Sequence, residues 1–318
     1  TAFSGAFGLP STEAILTGAL IVMIYTWLGG FWAVSLTDAI QGTVMLFASA
    51  LLPIATLLEL GGFTEFWANY QQVASPAQLS LTGNAAGLAI IGVIVGGLST
   101  GISTFGQPHL IIRFMALRDE TARRQATAIT AVWYVIVWFG MAFLGLAGAL
   151  LVPELANTEQ VFFALADSVL PTLIAGLLVA AVISAIMSTA DSQLLVSASV
   201  LSHDLGFGQR YPNRQLMISR IAVAAVVVIS TLIALYLPAQ IFARVLFAWV
   251  ALGAAFGPMV IARVAGWQLA SNHWLIGIWV GFGSAVGLSL LPNAPGDIAE
   301  RLLPFVLHLG FLALVRKR

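Results

Sequence analysis

AAVISAIMSTADSQLLVSA, residues 180–198, carries a carboxylate and a cluster of hydroxyls inside an apolar run long enough to cross a bilayer. Ser184, Ser188, Asp191 and Ser192 recur at three- and four-residue spacing, so on a helix they share one face, with Thr189 beside them. An ionised aspartate turned toward lipid is very costly, so this face must meet other protein, a bound cation or water. The stretch predicts a helical membrane protein and marks where to look for its function.

Composition reaches the same fold class independently. The 318 residues are 60% hydrophobic and 8% charged, with zero formal net charge and a mean hydropathy of +0.99. Water-soluble domains of this size do not have such a composition. No basic block suited to nucleic acid occurs, and the absence of cysteine excludes a disulfide framework, thiolate catalysis and a cysteine metal site.

Nine apolar segments can be read, at roughly 14–32, 39–61, 84–105, 129–152, 172–200, 216–237, 241–265, 274–292 and 302–315. The last is short enough to suggest an interfacial helix. Most of these runs greatly exceed a tilted transmembrane strand, so the expectation is an all-α polytopic bundle and not a barrel. With Arg113–Arg124 cytoplasmic, strict alternation also places Arg210, Arg214, Arg263, Arg316, Lys317 and Arg318 inside, with Arg244 and Arg301 as exceptions. Glu59, Glu65, Glu154, Glu159, Asp297 and Glu300 then fall outside, and the C-terminus is cytoplasmic. The chain opens on TAFSGAFGLPSTEA, neither a basic leader nor a finished signal peptide, and the expectation is that further residues precede it.

Two stretches promise irregular backbone. Gly92, Gly96, Gly97, Gly101 and Gly106 run through one span toward Gln107, Pro108 and His109. Pro108 frees carbonyls one turn upstream, near Thr104 and Phe105, which reads either as a packing kink or as a break that lines a ligand site. ALGAAFGP, residues 251–258, sets Gly253 and Gly257 on one small-residue face before Pro258 and reads as helix packing or a hinge. Asp38, in WAVSLTDAIQGTVMLF, is the second uncomfortable acid. It reads either as a first-turn residue stabilised by a helix N-terminus or as a second carboxylate beside Asp191 receiving a cation. Hydroxyl and carbonyl oxygens suit a hard cation such as Na+, while either aspartate equally suits proton coupling.

YTWLGGFWAVSLTDAIQ at 25–41, FGQPHLIIRFMA at 105–116, AVISAIMSTADSQLLVSAS at 181–199 and ALGAAFGP at 251–258 resemble, in order, the sodium/solute symporter family, closest to the sodium/proline symporters. The resemblance runs along essentially the whole chain. It implies one transmembrane transporter domain over 1–318, an inverted-repeat core that is N-terminally incomplete, with 14–61 ending the first repeat, 84–265 forming the second and 274–318 peripheral. It implies a multi-pass protein of a bacterial inner membrane whose partners are sodium, a small organic solute and the bilayer. Carried over by motif, Ala185 (through its carbonyl), Ser188 and Thr189 are the expected sodium ligands. Asp38, Asp191 and Ser192 are candidates for coupling or a further sodium site. Thr100, Thr104, Gln107 and Pro108 are the expected solute-binding residues. Thr100 and Thr104 stand where the proline symporters carry a tryptophan and a tyrosine, which leaves room for a different or bulkier solute.

Three rival readings come from other classes. A serine hydrolase would use Ser188 with His109 and Asp191, but the nucleophile-elbow pattern is absent. A channel predicts uncoupled conductance in place of saturable uptake. Some bacterial proteins join a domain similar to these symporters to a signalling kinase, which makes a sensory role the third.

Overall fold

The computed structural model describes residues 8–206, 210–236, 241–291 and 298–316, without the side chains of residues 25, 28–33, 88, 212 and 241–244. Asp297, Lys317 and Arg318 lie outside the described residues, as does the side chain of Arg244. The helices are α1 (Ser11–Glu59), α2 (Phe63–Val73), α3 (Pro76–Leu79), α4 (Leu88–Ile102), α5 (Pro108–Met115), α6 (Glu120–Leu151), α7 (Val161–Val169), α8 (Thr172–Ser199), α9 (Gln215–Tyr236), α10 (Ile241–Val264), α11 (Ser271–Ser289), α12 (Ile298–Arg301) and α13 (Leu303–Val315). A 3-10 turn, Ser103–Gly106, follows α4 and a π turn, Val200–Asp204, follows α8.

Among the described residues, seven helical stretches are long and apolar enough to cross a membrane: Val34–Glu59, Ala89–Gly106, Glu120–Leu151, Thr172–Asp204, Gln215–Tyr236, Val245–Val264 and Ile298–Val315. They turn large apolar side chains outward, among them Phe139 at 73% and Leu173 at 79% exposure, as lipid-facing helices do.

The nine-segment expectation is corrected in two places. Segments 14–32 and 39–61 are joined in one helix of 49 residues, about 73 Å long at the α-helical rise and more than twice the thickness of a bilayer core. Nothing between residues 32 and 39 terminates it. Thr37 Oγ1 donates to the Val34 carbonyl at 3.0 Å, so this hydroxyl folds back along the helix and does not start a new one. Segment 274–292 is matched by α11, a helix over Ser271–Ser289 with a polar start that is less apolar than the spans just named. Conversely, 302–315 gains Ile298–Arg301 ahead of it and reaches 18 residues, enough to cross.

The chain divides into two compact units, Thr1–Ala74 with Asp119–Pro238, and Ser75–Arg118 with Ala239–Arg318. In the first, Ala175, Leu178 and Ala181 of α8 pack with Ala48 and Leu52 of α1, Leu144 of α6, and Leu165 and Ala166 of α7. A second cluster joins Leu194 and Ala198 of α8 to Ala222, Val223 and Val227 of α9. Helix α6 starts cleanly because Asp119 accepts from the Ala122 N–H at 2.8 Å. Pro53 inside α1 cannot donate to the Ser49 carbonyl. Gly140 of α6 lies against that carbonyl, and a Cβ there would sit 2.6 Å from its oxygen.

In the second unit α10 is central, packed with the 3-10 turn, α11 and α13. Its inner face is alanine and glycine: Ala251 and Ala254 are buried with Ala285 of α11. A Cβ on Gly106 would come within 2.7 Å of Gly253 Cα, Gly257 N and Leu252 O, so turn and helix touch backbone to backbone.

Candidate functional site

In the first unit, α8 presents its hydroxyl face toward α1. Asp191 is fully buried and Ser192 nearly so, while Ser188 is half-buried and Thr189 exposed. The Ser188 hydroxyl donates to Asp38 Oδ1 across to α1. Asp38 is buried in the interior of α1, which removes the first-turn reading: no helix begins near it. A buried carboxylate needs hydrogen-bond donors to offset its lost hydration, and Ser188 is one of them.

The other hydroxyls line the same helix. Ser192 Oγ donates to the Ser188 carbonyl at 2.6 Å and lies 3.4 Å from Asp191 Oδ1. Thr189 Oγ1 donates to the Ala185 carbonyl at 3.1 Å. That pair sets a hydroxyl and a carbonyl oxygen close enough to face one small cation together, with the hydroxyl proton turned aside. Ser188, Ser192 and Asp191 of the same helix, with Asp38 of α1 bonded to Ser188, add hydroxyl and carboxyl oxygens. The set is all oxygen, as a hard cation prefers.

In the second unit, the expected irregularity at Pro108 is a full break. Helix α4 tightens into the 3-10 turn, Gln107 is extended at φ −85° and ψ 108°, and Pro108 opens α5 at its first turn, where its missing N–H costs nothing. The Gln107 N–H donates to the Thr104 carbonyl at 3.2 Å. Its side chain is buried, and the amide nitrogen donates to the Ser103 carbonyl at 3.2 Å and to the Trp249 carbonyl of α10 at 2.8 Å. Thr104 is exposed and Thr100 half-buried, its hydroxyl 3.5 Å from the Gly96 carbonyl. Pro108 is half-buried. His109 sets its ring edge-on to Trp249, with centroids 6.1 Å apart. Partial burial and then the Arg113 charge hold it below its ordinary pKa, so it is neutral near pH 7.

Several residues here escaped the sequence reading. Ser99 and Ser103 are buried, each hydroxyl donating to its own helix, to Gly96 O at 2.8 Å and Ser99 O at 3.0 Å. Their signal was present: they are small residues four apart, on the face that meets Gly253. His308 of α13 is fully buried, with Nδ1 2.7 Å from the Ala254 carbonyl, and no local pattern pointed to it.

With this geometry in hand, a family model described as "Sodium:solute symporter family" matches residues 2–281. The chain belongs to that family. By family it is classed with secondary transporters and not with enzymes, and the seven candidate spans among its described residues fit a multi-pass membrane protein. Among its relatives, the osmoregulated proline transporter OpuE of Bacillus subtilis is 31% identical over 96% of this chain and 65% of that protein. The sodium/proline symporter of Salmonella typhimurium is 32% identical over 88% of this chain and 57% of that protein, and one from Staphylococcus aureus 35% over 81% and 52%. The chain thus spans roughly half to two thirds of these relatives. A solved Na+-coupled sialic acid symporter, in a substrate-bound outward-open state, superposes with a TM-score of 0.72 at 19% identity, over 98% of this chain and 69% of that one. At that identity the likeness establishes a shared symporter fold.

Proposed function

We propose that the protein, as a whole, couples sodium entry to uptake of a small organic solute by alternating access. The observation that carries this reading is the meeting of Asp38 and Ser188 at the oxygen-rich face of α8. Ala185 O, Ser188 and Thr189 are the sodium ligands, and Asp38, Asp191 and Ser192 tune or extend the site. Sodium entering between Ala185 O and Thr189 Oγ1 replaces the hydrogen bond that now joins them, so the site exchanges one satisfied state for another.

Thr100 and Thr104 lie on the solute side, with Gln107 and Pro108 shaping the break that presents them. Proline or another amino acid is the leading solute, supported by three proline-transporting relatives at 31–35% identity. Threonine in place of the proline symporters' aromatics favours a roomier pocket, which keeps larger amino acids and carboxylates in the panel to be tested. The inverted-repeat assignment, 14–61 with 84–265 and peripheral 274–318, accompanies this reading. The cytoplasmic C-terminus is supported by the arginines within 113–124 and by Arg210, Arg214 and Arg263, with α11 counted as a crossing so that the alternation holds.

The test is solute uptake into proteoliposomes holding the full-length protein, with and without an inward sodium gradient. Uptake that saturates with solute and depends on sodium supports the reading. Equal uptake with potassium in place of sodium overturns it.

A further inference from the structure

Helix α10 contains Pro258, which has no N–H, so the carbonyl four residues earlier, Ala254, has no helical donor at that position. In a water-free interior such a carbonyl costs free energy unless a donor arrives from elsewhere. One does. His308 of α13 is completely buried, and its Nδ1 lies 2.7 Å from Ala254 O. A carbonyl can only accept, so Nδ1 carries the proton. Nε2 has no hydrogen-bond partner among the described residues, so the Ala254 carbonyl is the ring's one polar contact there.

The neighbours are cut to admit the ring. Gly281 of α11 lies against both partners: a Cβ there would fall on the Ala254 carbonyl and 2.9 Å from His308 Nδ1. A Cβ on Gly277 would fall on the other side of the ring, 2.9 Å from Cδ2. Two glycines, one histidine and one proline on three helices therefore serve a single carbonyl.

That carbonyl belongs to the segment that holds the broken helix. Trp249 O takes the Gln107 amide, and Gly253, next to Ala254, packs on Ser103. We propose that His308 is a positioning residue: by donating to the Ala254 carbonyl that Pro258 leaves open, it fixes α10 and, through it, the 103–107 break that presents the solute-facing threonines. The consequence for uptake rests on the transport reading above. The link itself does not.

The experiment uses the full-length protein in lipid nanodiscs and proteoliposomes, with H308L, H308N, P258A and the double variant P258A/H308L. Asparagine in H308N places an amide N–H near the Nδ1 position, and P258A restores the helical N–H that makes the histidine donor dispensable. Amide exchange over residues 249–264 reads the link whether or not the protein transports. H308L should speed that exchange and raise the solute KM about five- to tenfold, as expected for loss of one buried hydrogen bond. The sodium half-saturation should stay within about twofold, since the sodium candidates sit on α8 and α1. H308N should remain close to wild type, and P258A/H308L should match P258A. Equal damage from H308L in the wild-type and P258A backgrounds overturns the proposal, because the ring then acts by packing alone. Failure of both H308L and P258A/H308L to insert overturns it likewise, whereas rescue of insertion by P258A supports it. Absence of sodium-dependent uptake in the wild type would sink the transport reading and leave the exchange result to decide the link.

Discussion

The hydroxyl of Ser188 on α8 donates to the carboxylate of Asp38 on α1, a residue 150 positions earlier in the chain. Both sit at the packing face of the first unit, and the pair joins an acid that looked like a helix cap to the hydroxyl face that looked like a cation site. Removing the donor should therefore weaken structure and sodium response together. S188A should lower stability by about 1–3 kcal/mol, because a buried carboxylate loses a donor. The same variant should raise the sodium half-saturation of uptake about tenfold, the equivalent of roughly 1.4 kcal/mol. Thermal unfolding of the purified protein and uptake against sodium concentration check the two effects, and an unchanged sodium curve in correctly inserted S188A would remove Ser188 from the ligand set.

Thr189 offers a cleaner separation because it is exposed and its hydroxyl, among the described residues, bonds along its own helix to the Ala185 carbonyl. T189A should leave stability within about 0.5 kcal/mol, as surface changes do, and shift the sodium half-saturation upward. T189S keeps the oxygen and should be milder. If serine is as harmful as alanine, the methyl group and not the hydroxyl matters, and sodium ligation by Thr189 is wrong.

Asp38→Asn tests coupling. The amide has nearly the same size and still accepts from Ser188, so insertion should survive while sodium-to-solute stoichiometry falls. Asp191→Asn should match it only if Asp191 completes a further cation site. Counting sodium ions per solute by reversal potential distinguishes the cases, and normal stoichiometry in both variants would exclude the acids from coupling.

Gln107 braces the break through two carbonyls, Ser103 O and Trp249 O. Q107L removes the amide and should cost about 1–3 kcal/mol. Q107E should be worse when ionised, because its oxygens meet two carbonyl oxygens in place of a donor. The thermal midpoints of the two variants give the order directly. The reverse order would mean that the amide does not bridge these groups. For the neighbouring threonines, T100W with T104Y should move the competition profile toward proline, and a profile unchanged by either single replacement would take both residues out of the pocket.

His109 sets a pH dependence. Burial and Arg113 hold its pKa below 6.5, so the unfolded chain binds its proton more readily than the folded protein does. Its contribution to stability is intact above about pH 6.5 and is lost as pH falls below that value. H109Q should flatten the acid side of a stability-against-pH curve between about pH 7 and 5. An acid limb as steep as wild type would assign that loss to other groups.

How much of this was legible in the chain depended on range. The stretch 180–198 announced a membrane helix with a hydroxyl face, because apolar length and three-to-four spacing are local properties that any helix must express. Pro108 likewise marks an irregularity, since a ring that removes an N–H acts on its own neighbourhood, but kink and break read alike in sequence: Pro53 and Pro258 leave their helices continuous, whereas Pro108 opens a new one. The continuity of α1 is hidden in the sequence, because Asp38 and its hydroxyl neighbours have the composition of a helix start. Only the surrounding helix shows that Thr37 bonds backward and that Asp38 is served from α8.

Local pattern in the chain dictates the all-α membrane class, the oxygen-rich face of α8 and an irregularity at Pro108. Tertiary structure alone decided which partners those groups meet: Asp38 with Ser188, the Gln107 amide with Trp249 O, and His308 with the carbonyl that Pro258 leaves open. Periodicity specifies which face of a helix is polar. The donor that reaches a given buried acceptor is set by how distant helices pack, because an unsatisfied polar group in a water-free interior must be served by whichever helix comes near it.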